Sequence, residues 1–172
     1  SGCDDRELRV AVKKVATGRF SIWVNEQLKP GDVIDVMTPE GRFFTPLAPE
    51  HEKHYVAFAS GSGITPVLSL IRTALAREPR SRFTLVYGNR RQSSVMFHEA
   101  LEDVKDRYLT RFRLYNVFSR EEQDIELFNG RIDAAKVRQF LDALIPADTI
   151  DEAFVCGPAS MIDEVEQALL DG

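Results

Sequence analysis

Four short stretches of the chain, HYVAFA, RFTLVYG, RFRLYNVF and EAFVCG, are apolar almost without interruption. A strand with one wet face alternates apolar and polar residues, whereas a run that is apolar throughout has both faces covered. Each run is followed by a segment with helical spacing: TPVLSLIRTALARE, VMFHEALEDVKDR, DAAKVRQFLDALI and PASMIDEVEQALL. Strand and helix in strict alternation predict an α/β layer fold over 53–172, a parallel sheet with helices on both faces.

Upstream the rhythm differs. ELRVAVKKV places Leu8, Val10 and Val12 at period two, and DVIDVMTP reads as a second strand. Between them, SIWVNEQL reads as a short helix or turn closed by Pro30-Gly31. Two or three strands are too few for independent stability, so 1–48 is expected to be an incomplete β-domain. EGRFFTPLAPEHEK, rich in proline and charge, is the expected linker.

Composition narrows the function classes. A formal charge of −5 over 172 residues argues against a nucleic-acid partner, which normally meets a basic face. No apolar run reaches the roughly 18 residues of a membrane span, and no signal peptide is visible. Cys3 and Cys156 are the two cysteines, so a disulfide framework is not expected and a reducing cytoplasm is the default. His51, His54 and His98 show no metal-ligand spacing; no metal is expected, and all three histidines are expected at the surface or an edge.

The unusual residues collect at one place. The four apolar runs end in GSGITP, GNRR, SRE and CGPASM, each at the carboxyl end of an expected strand. In an open parallel sheet those ends share one rim, where ligands bind. Gly61 and Gly63 admit backbone angles closed to other residues, the following helix offers free N–H groups to phosphate, and Pro66 suits a first helical turn. The ordinary dinucleotide fingerprint GxGxxG would need glycine where Pro66 stands. The acidic residue that reads a ribose is absent too, and Asn89, Arg90 and Arg91 occupy that region. Basic residues there, with Ser119 and Arg120, suit the 2′-phosphate of NADP. A plain strand-to-helix turn and a solvated basic rim are the alternatives. Cys156 has no histidine or acid near enough in sequence to suggest an activated nucleophile and reads as a small, soft side chain.

GSGITP, YGNR, FSRE and CGPASM, in that order and spacing, resemble the pyridine-nucleotide half of the ferredoxin–NADP reductase superfamily. RVAVKKV, GRFSIWV and LKPGDVIDVMTPEGRF resemble the latter part of its antiparallel FAD-binding β-barrel. EPRSRFTLVYGNRR, SSVMF and LFNGRID look closest to the reductase subunits of phenylacetyl-CoA epoxygenase systems, which act in phenylacetate degradation. The resemblance implies an NADPH-dependent flavoprotein reductase. Its electrons pass from NADPH through FAD to an iron–sulfur (2Fe-2S) domain and on to an oxygenase component.

By the same resemblance, Val12 and Lys13 run beside the flavin, while Gly18, Arg19, Phe20 and Ser21 meet the FAD pyrophosphate. Gly61, Ser62, Gly63, Thr65 and Pro66 hold the NADP pyrophosphate and nicotinamide. Ser119 and Arg120 take the 2′-phosphate with Arg90 as helper, and Cys156, Gly157 and Pro158 flank the nicotinamide at the reaction centre. The family's Arg-x-Tyr-Ser flavin signature and any CxxxxCxxC cluster motif are absent from the chain, which implies a fragment. A non-catalytic NADP(H)-binding module is the alternative for the chain as it stands. A dehydrogenase acting on a small substrate is disfavoured, because the rim offers no catalytic His, Tyr or Lys.

Overall fold

A computed structural model describes residues 8, 10–38 and 40–171. Ser1 and Cys3 lie outside them. The strands are β1 (His54–Ser60), β2 (Arg82–Asn89), β3 (Phe112–Phe118) and β4 (Glu152–Cys156). The helices are α1 (Arg19–Glu26), α2 (Ile64–Arg77), α3 (His98–Arg107), α4 (Ala134–Ala143) and α5 (Ala159–Asp171). The four strands form one parallel sheet in the order β3-β2-β1-β4, as the continuous apolar runs predict. The chain steps outward from β1 to β3, then returns to place β4 on the other side of β1. This reversal makes the carboxyl ends of β1 and β4 a topological switch point.

Alternate residues of β1 feed two separate cores. Tyr55, Ala57 and Ala59 pack with α2 and α3, while Val56 and Phe58 pack with α4 and α5. All five are fully buried. On the first face, Tyr55, Phe83 and Phe154 stack with ring centroids 5.8–6.4 Å apart. Helix α2 presents Val67, Leu68, Ile71, Ala74 and Leu75 as one stripe to this layer. It stops at Arg77 because Glu78 precedes Pro79 and is held extended (ψ 91°), as a residue before proline prefers.

Three expectations need correction. Among the described residues before His54 there is one helix and no strand, so the strands expected in ELRVAVKKV and DVIDVMTP do not form there. A strand exists only by pairing, and period-two spacing cannot supply a partner. Leu8, Val10, Val33, Val36 and Met37 accordingly stand largely in solvent, Val33 at 93%. The helix expected from Val95 starts only at His98, because Phe97 takes a left-handed conformation (φ 58°). His54, expected at the surface or an edge, is 7% exposed in the central strand. Its Nε2 lies 2.8 Å from Thr84 Oγ1 and its Nδ1 3.1 Å from Thr149 O. Burial and the nearby Arg82 guanidinium push its pKa down.

The expected linker is docked on the layer by one buried carboxylate. Glu78, fully buried, accepts from Ala48 N–H (3.0 Å), His51 Nδ1 (2.7 Å), Tyr55 Oη (2.9 Å) and Ser81 Oγ (2.7 Å). Arg111 ties the same corner by donating to the carbonyls of Leu75, Glu78 and Ser81. Burial pushes the Glu78 carboxyl up, but the hydrogen bonds from Ser81, Ala48, His51 and Tyr55 outweigh it and leave the pKa below the ordinary 4.5. A depressed folded-state value means that the contribution to stability is complete above the unfolded pKa and is lost as pH falls through the folded one. Urea unfolding between pH 7 and pH 3 should therefore show stability falling in the acid range, with a flatter profile for Glu78→Gln. Glu78→Leu should lose at least about 2 kcal/mol at neutral pH, because it strands several buried donors.

Candidate nucleotide-binding site

A cleft of about 1140 Å³ opens over the carboxyl rim of the sheet. The turns after all four strands line it, which is where the special residues were expected.

The turn after β1 is one 3-10 turn, Gly61–Gly63, leading directly into α2. Gly61 is left-handed (φ +53°) and a Cβ there would meet open space. Its carbonyl is held by the Tyr87 hydroxyl at 2.9 Å. Gly63 is a glycine for a different reason. A Cβ there would lie 2.0 Å from the Cys156 carbonyl oxygen and 2.6 Å from its carbon, so the two halves of the switch point touch through bare backbone. No side chain caps the start of α2, which leaves its positive end facing the cleft. Gly157 repeats the tight fit, since its Cβ would meet Met161 Sδ at 2.9 Å.

Beyond β2 and β3 the ladder continues. Ser119 N donates to Asn89 O (3.0 Å) and Arg120 N to Arg90 O (2.9 Å). These bonds set the Arg90, Ser119 and Arg120 backbones side by side at the cleft. Lys13 and Arg131 add two more cations. The two acids in the lining are engaged with the start of α4: Asp133 accepts from Lys136 N (2.8 Å) and Glu164 from Ala134 N (3.2 Å). Four cations facing two committed carboxylates make a cleft suited to phosphate, on a chain that is acidic overall.

Of the expected site residues, Lys13, Gly61, Ser62, Gly63 and Arg90 line this cleft. So do Ser119, Arg120, Cys156, Gly157 and Pro158. Thr65 and Pro66 stand in the first turn of α2 outside the lining, with Thr65 Oγ1 donating to Ser62 O (3.0 Å). Val12, Gly18, Arg19, Phe20 and Ser21 also lie outside it. Val12 O accepts from Asn25 Nδ2 (3.1 Å), and the Phe20 and Trp23 rings lie 5.8 Å apart. Gly18 precedes α1 because a Cβ there would strike Ser21 Oγ at 2.4 Å. That hydroxyl donates to Gly18 O (3.2 Å) and accepts from Val15 N (3.1 Å), so it is already used locally. Cys156 carries a free thiol whose pKa burial pushes up, which keeps it protonated and poorly nucleophilic. Sequence reasoning missed Arg131 and Asn89 as site residues. Both sit inside quoted motifs, LFNGRID and YGNR, but only the fold shows that they share one cleft.

Residues 58–167, most of the chain, match the oxidoreductase NAD-binding domain. The chain belongs to that family. Its relatives include a component of 1,2-phenylacetyl-CoA epoxidase from Escherichia coli (strain K12), 47% identical over 163 residues that cover 95% of this chain and 46% of that protein. The ferredoxin reductase component of 3-ketosteroid-9-alpha-monooxygenase from Rhodococcus rhodochrous is 34% identical, over 94% of this chain and 42% of its own length. The fold matches the CS-b5R domains of human Ncb5or (NAD+ form) with a TM-score of 0.77 at 23% identity, covering 93% of this chain and 44% of that one. The chain thus spans less than half the length of these relatives. The matched residues include the turns after all four strands, which line the cleft. Among the described residues no group of His, Cys, Asp or Glu could hold a metal ion, and no helix is long and apolar enough to cross a membrane.

The two glycines of the turn should respond differently to alanine. Gly63→Ala must displace the Cys156 backbone and should cost about 1–3 kcal/mol or more in urea unfolding, with weakened dinucleotide binding. Gly61→Ala meets no atoms and should cost only the left-handed penalty, about 1–2 kcal/mol.

Proposed function

We propose that the chain is the nucleotide-binding part, with a piece of the flavin-binding part, of an NADPH-dependent flavoprotein reductase. Its electrons pass from NADPH through FAD to an iron–sulfur centre and on to an oxygenase, in the degradation of phenylacetate or a related aromatic acid. The 47% identity to an epoxidase component supports the system. The observation that carries the NADP reading is the backbone ladder that sets Ser119 beside Asn89 and Arg120 beside Arg90 at the rim. The division follows the same reading, with 1–48 as the flavin-side piece and 53–172 as the NADP-binding domain. A cytoplasmic location belongs to it as well, and the free Cys156 thiol suits a reducing compartment.

Each part of the cleft has a definite task. The free end of α2 and the Gly61 turn receive the pyrophosphate, and Arg90, Ser119 and Arg120 receive the 2′-phosphate through charge-assisted hydrogen bonds. Cys156, Gly157 and Pro158 wall the far side, where a small neutral thiol leaves room for a flat ring. NADPH, when bound, supplies a hydride to the flavin. That transfer needs alignment of two rings more than an acid or base, consistent with a rim that offers no proton-transfer pair.

A binding-only module is the second reading, favoured by one observation. Most residues expected to meet NADP line one cleft, whereas the expected flavin-side residues Gly18 to Ser21 lie outside it and the Ser21 hydroxyl is committed locally. An absorption spectrum of the purified chain with added FAD, then with NADPH under anaerobic conditions, separates the two. Protein-bound flavin that bleaches supports a working hydride site; no bound flavin supports the module. The NADP assignment is tested by Arg120→Ala, which should weaken NADP+ and 2′,5′-ADP by about 1–3 kcal/mol while leaving NAD+ almost unchanged. Equal weakening of NAD+ and NADP+ in calorimetry refutes it.

A further inference from the structure

Among the described residues, two buried side-chain atoms have no hydrogen-bond partner, Asn89 Nδ2 and Asn116 Oδ1. Asn89 is the last residue of β2, is only 9% exposed and lines the cleft. Its backbone is fixed by the ladder, since its carbonyl accepts from Ser119 N. The amide stands close enough to the Tyr87 oxygen to lower that phenol's pKa against the effect of burial, but it does not reach hydrogen-bond geometry there, and Nδ2 is left unpaired. The Tyr87 proton is committed to Gly61 O. Buried donors are nearly always satisfied, so an unpaired one at a binding cleft calls for an acceptor from outside the fold.

We propose that Asn89 is a binding residue for the dinucleotide, its Nδ2–H donating to an oxygen of the phosphate–ribose segment that runs from the Gly61 turn to the Arg90–Arg120 pair. This rests on the NADP reading of the cleft and adds to it a residue with no charge, one that senses an acceptor oxygen common to NAD+ and NADP+. Asn89 therefore sets affinity for both dinucleotides, while Arg120 sets the preference between them.

A structural explanation competes with this one. Asn116 lies opposite Tyr87 in the parallel register, and Asn89 follows Tyr87 by two residues on the same face. The two residues are diagonal neighbours on adjacent strands, and a water held between their orphan atoms would satisfy both. The explanations differ in sign for an apolar replacement of similar size. Removing a donor that the free protein leaves unpaired does not destabilise it, whereas removing one end of a water bridge does.

The experiment uses Asn89→Leu and Asn89→Asp in the full chain, with urea unfolding midpoints and calorimetric affinities for NADP+ and NAD+. Expected are an Asn89→Leu midpoint unchanged or raised, and affinities for both dinucleotides weakened about tenfold. Asn89→Asp should weaken both further, because a carboxylate then faces phosphate. A fall in the Asn89→Leu midpoint, or dinucleotide affinities within twofold of wild type in either variant, overturns the proposal. A wild-type chain that binds neither dinucleotide overturns the NADP reading along with it. A wild type that binds both, beside an Asn89→Leu chain that binds equally well, overturns this inference alone.

Discussion

At the switch point two backbones touch where a side chain would normally stand. The turn after β1 rests on the carbonyl of Cys156, and the glycine at position 63 is the condition for that contact. The rest of the cleft is arranged around it. Because β4 lies directly beside β1, the start of α2 and the segment after β4 open onto the same space from opposite faces of the sheet. The ladder that runs on past Asn89 and Phe118 brings the basic pair in from the other side. A few tenths of an ångström at Gly63 would move the wall at Cys156 relative to the turn at Gly61, and with them the two ends of any ligand laid across the rim.

Electrostatics then selects among ligands that fit. The chain carries five more acids than bases, yet its cleft gathers Lys13, Arg90, Arg120 and Arg131 while its own acids are tied to the first turn of α4. Whole-chain charge and local charge thus oppose one another. A polyanion as long as a nucleic acid meets the repulsive average, whereas a compact phosphate ligand meets only the attractive interior. With Asp133 and Glu164 held at the first turn of α4, the lining still sets four cations against two carboxylates.

The sheet and its helices were legible because burial on both faces makes a strand almost continuously apolar, and nothing else in the chain shares that signature. The rim was legible for a related reason: after each apolar run stands a turn of small or charged residues, at the carboxyl end of a strand. Much else was not. The strands expected around Val10 and Val33 rest on alternation, which describes a surface and says nothing about a partner. His54 was expected at the surface or an edge and nothing in the sequence marks Glu78 for burial, since most of the groups that surround them, Thr84 and Thr149 for one and Ala48, His51 and Tyr55 for the other, are distant in sequence. Asn89 was visible as part of YGNR, but its unpaired amide is a property of the fold.

The Glu78 corner lies at the amino ends of the strands, as far from the cleft as the sheet allows. One rim is thus closed by saturated hydrogen bonds and the other left open with a donor to spare. The sheet works as a clamp with a fixed jaw and a free jaw. Side-chain substitutions at the free jaw that spare its glycines, such as those at Asn89 and Arg120, can redraw which cofactor is gripped while leaving the melting temperature where it was, and reinforcement at the fixed jaw can raise that temperature without touching selectivity. A lineage of such NAD-binding domains could adapt to a hotter cell and to a different dinucleotide by independent steps, and neither change would have to wait for the other.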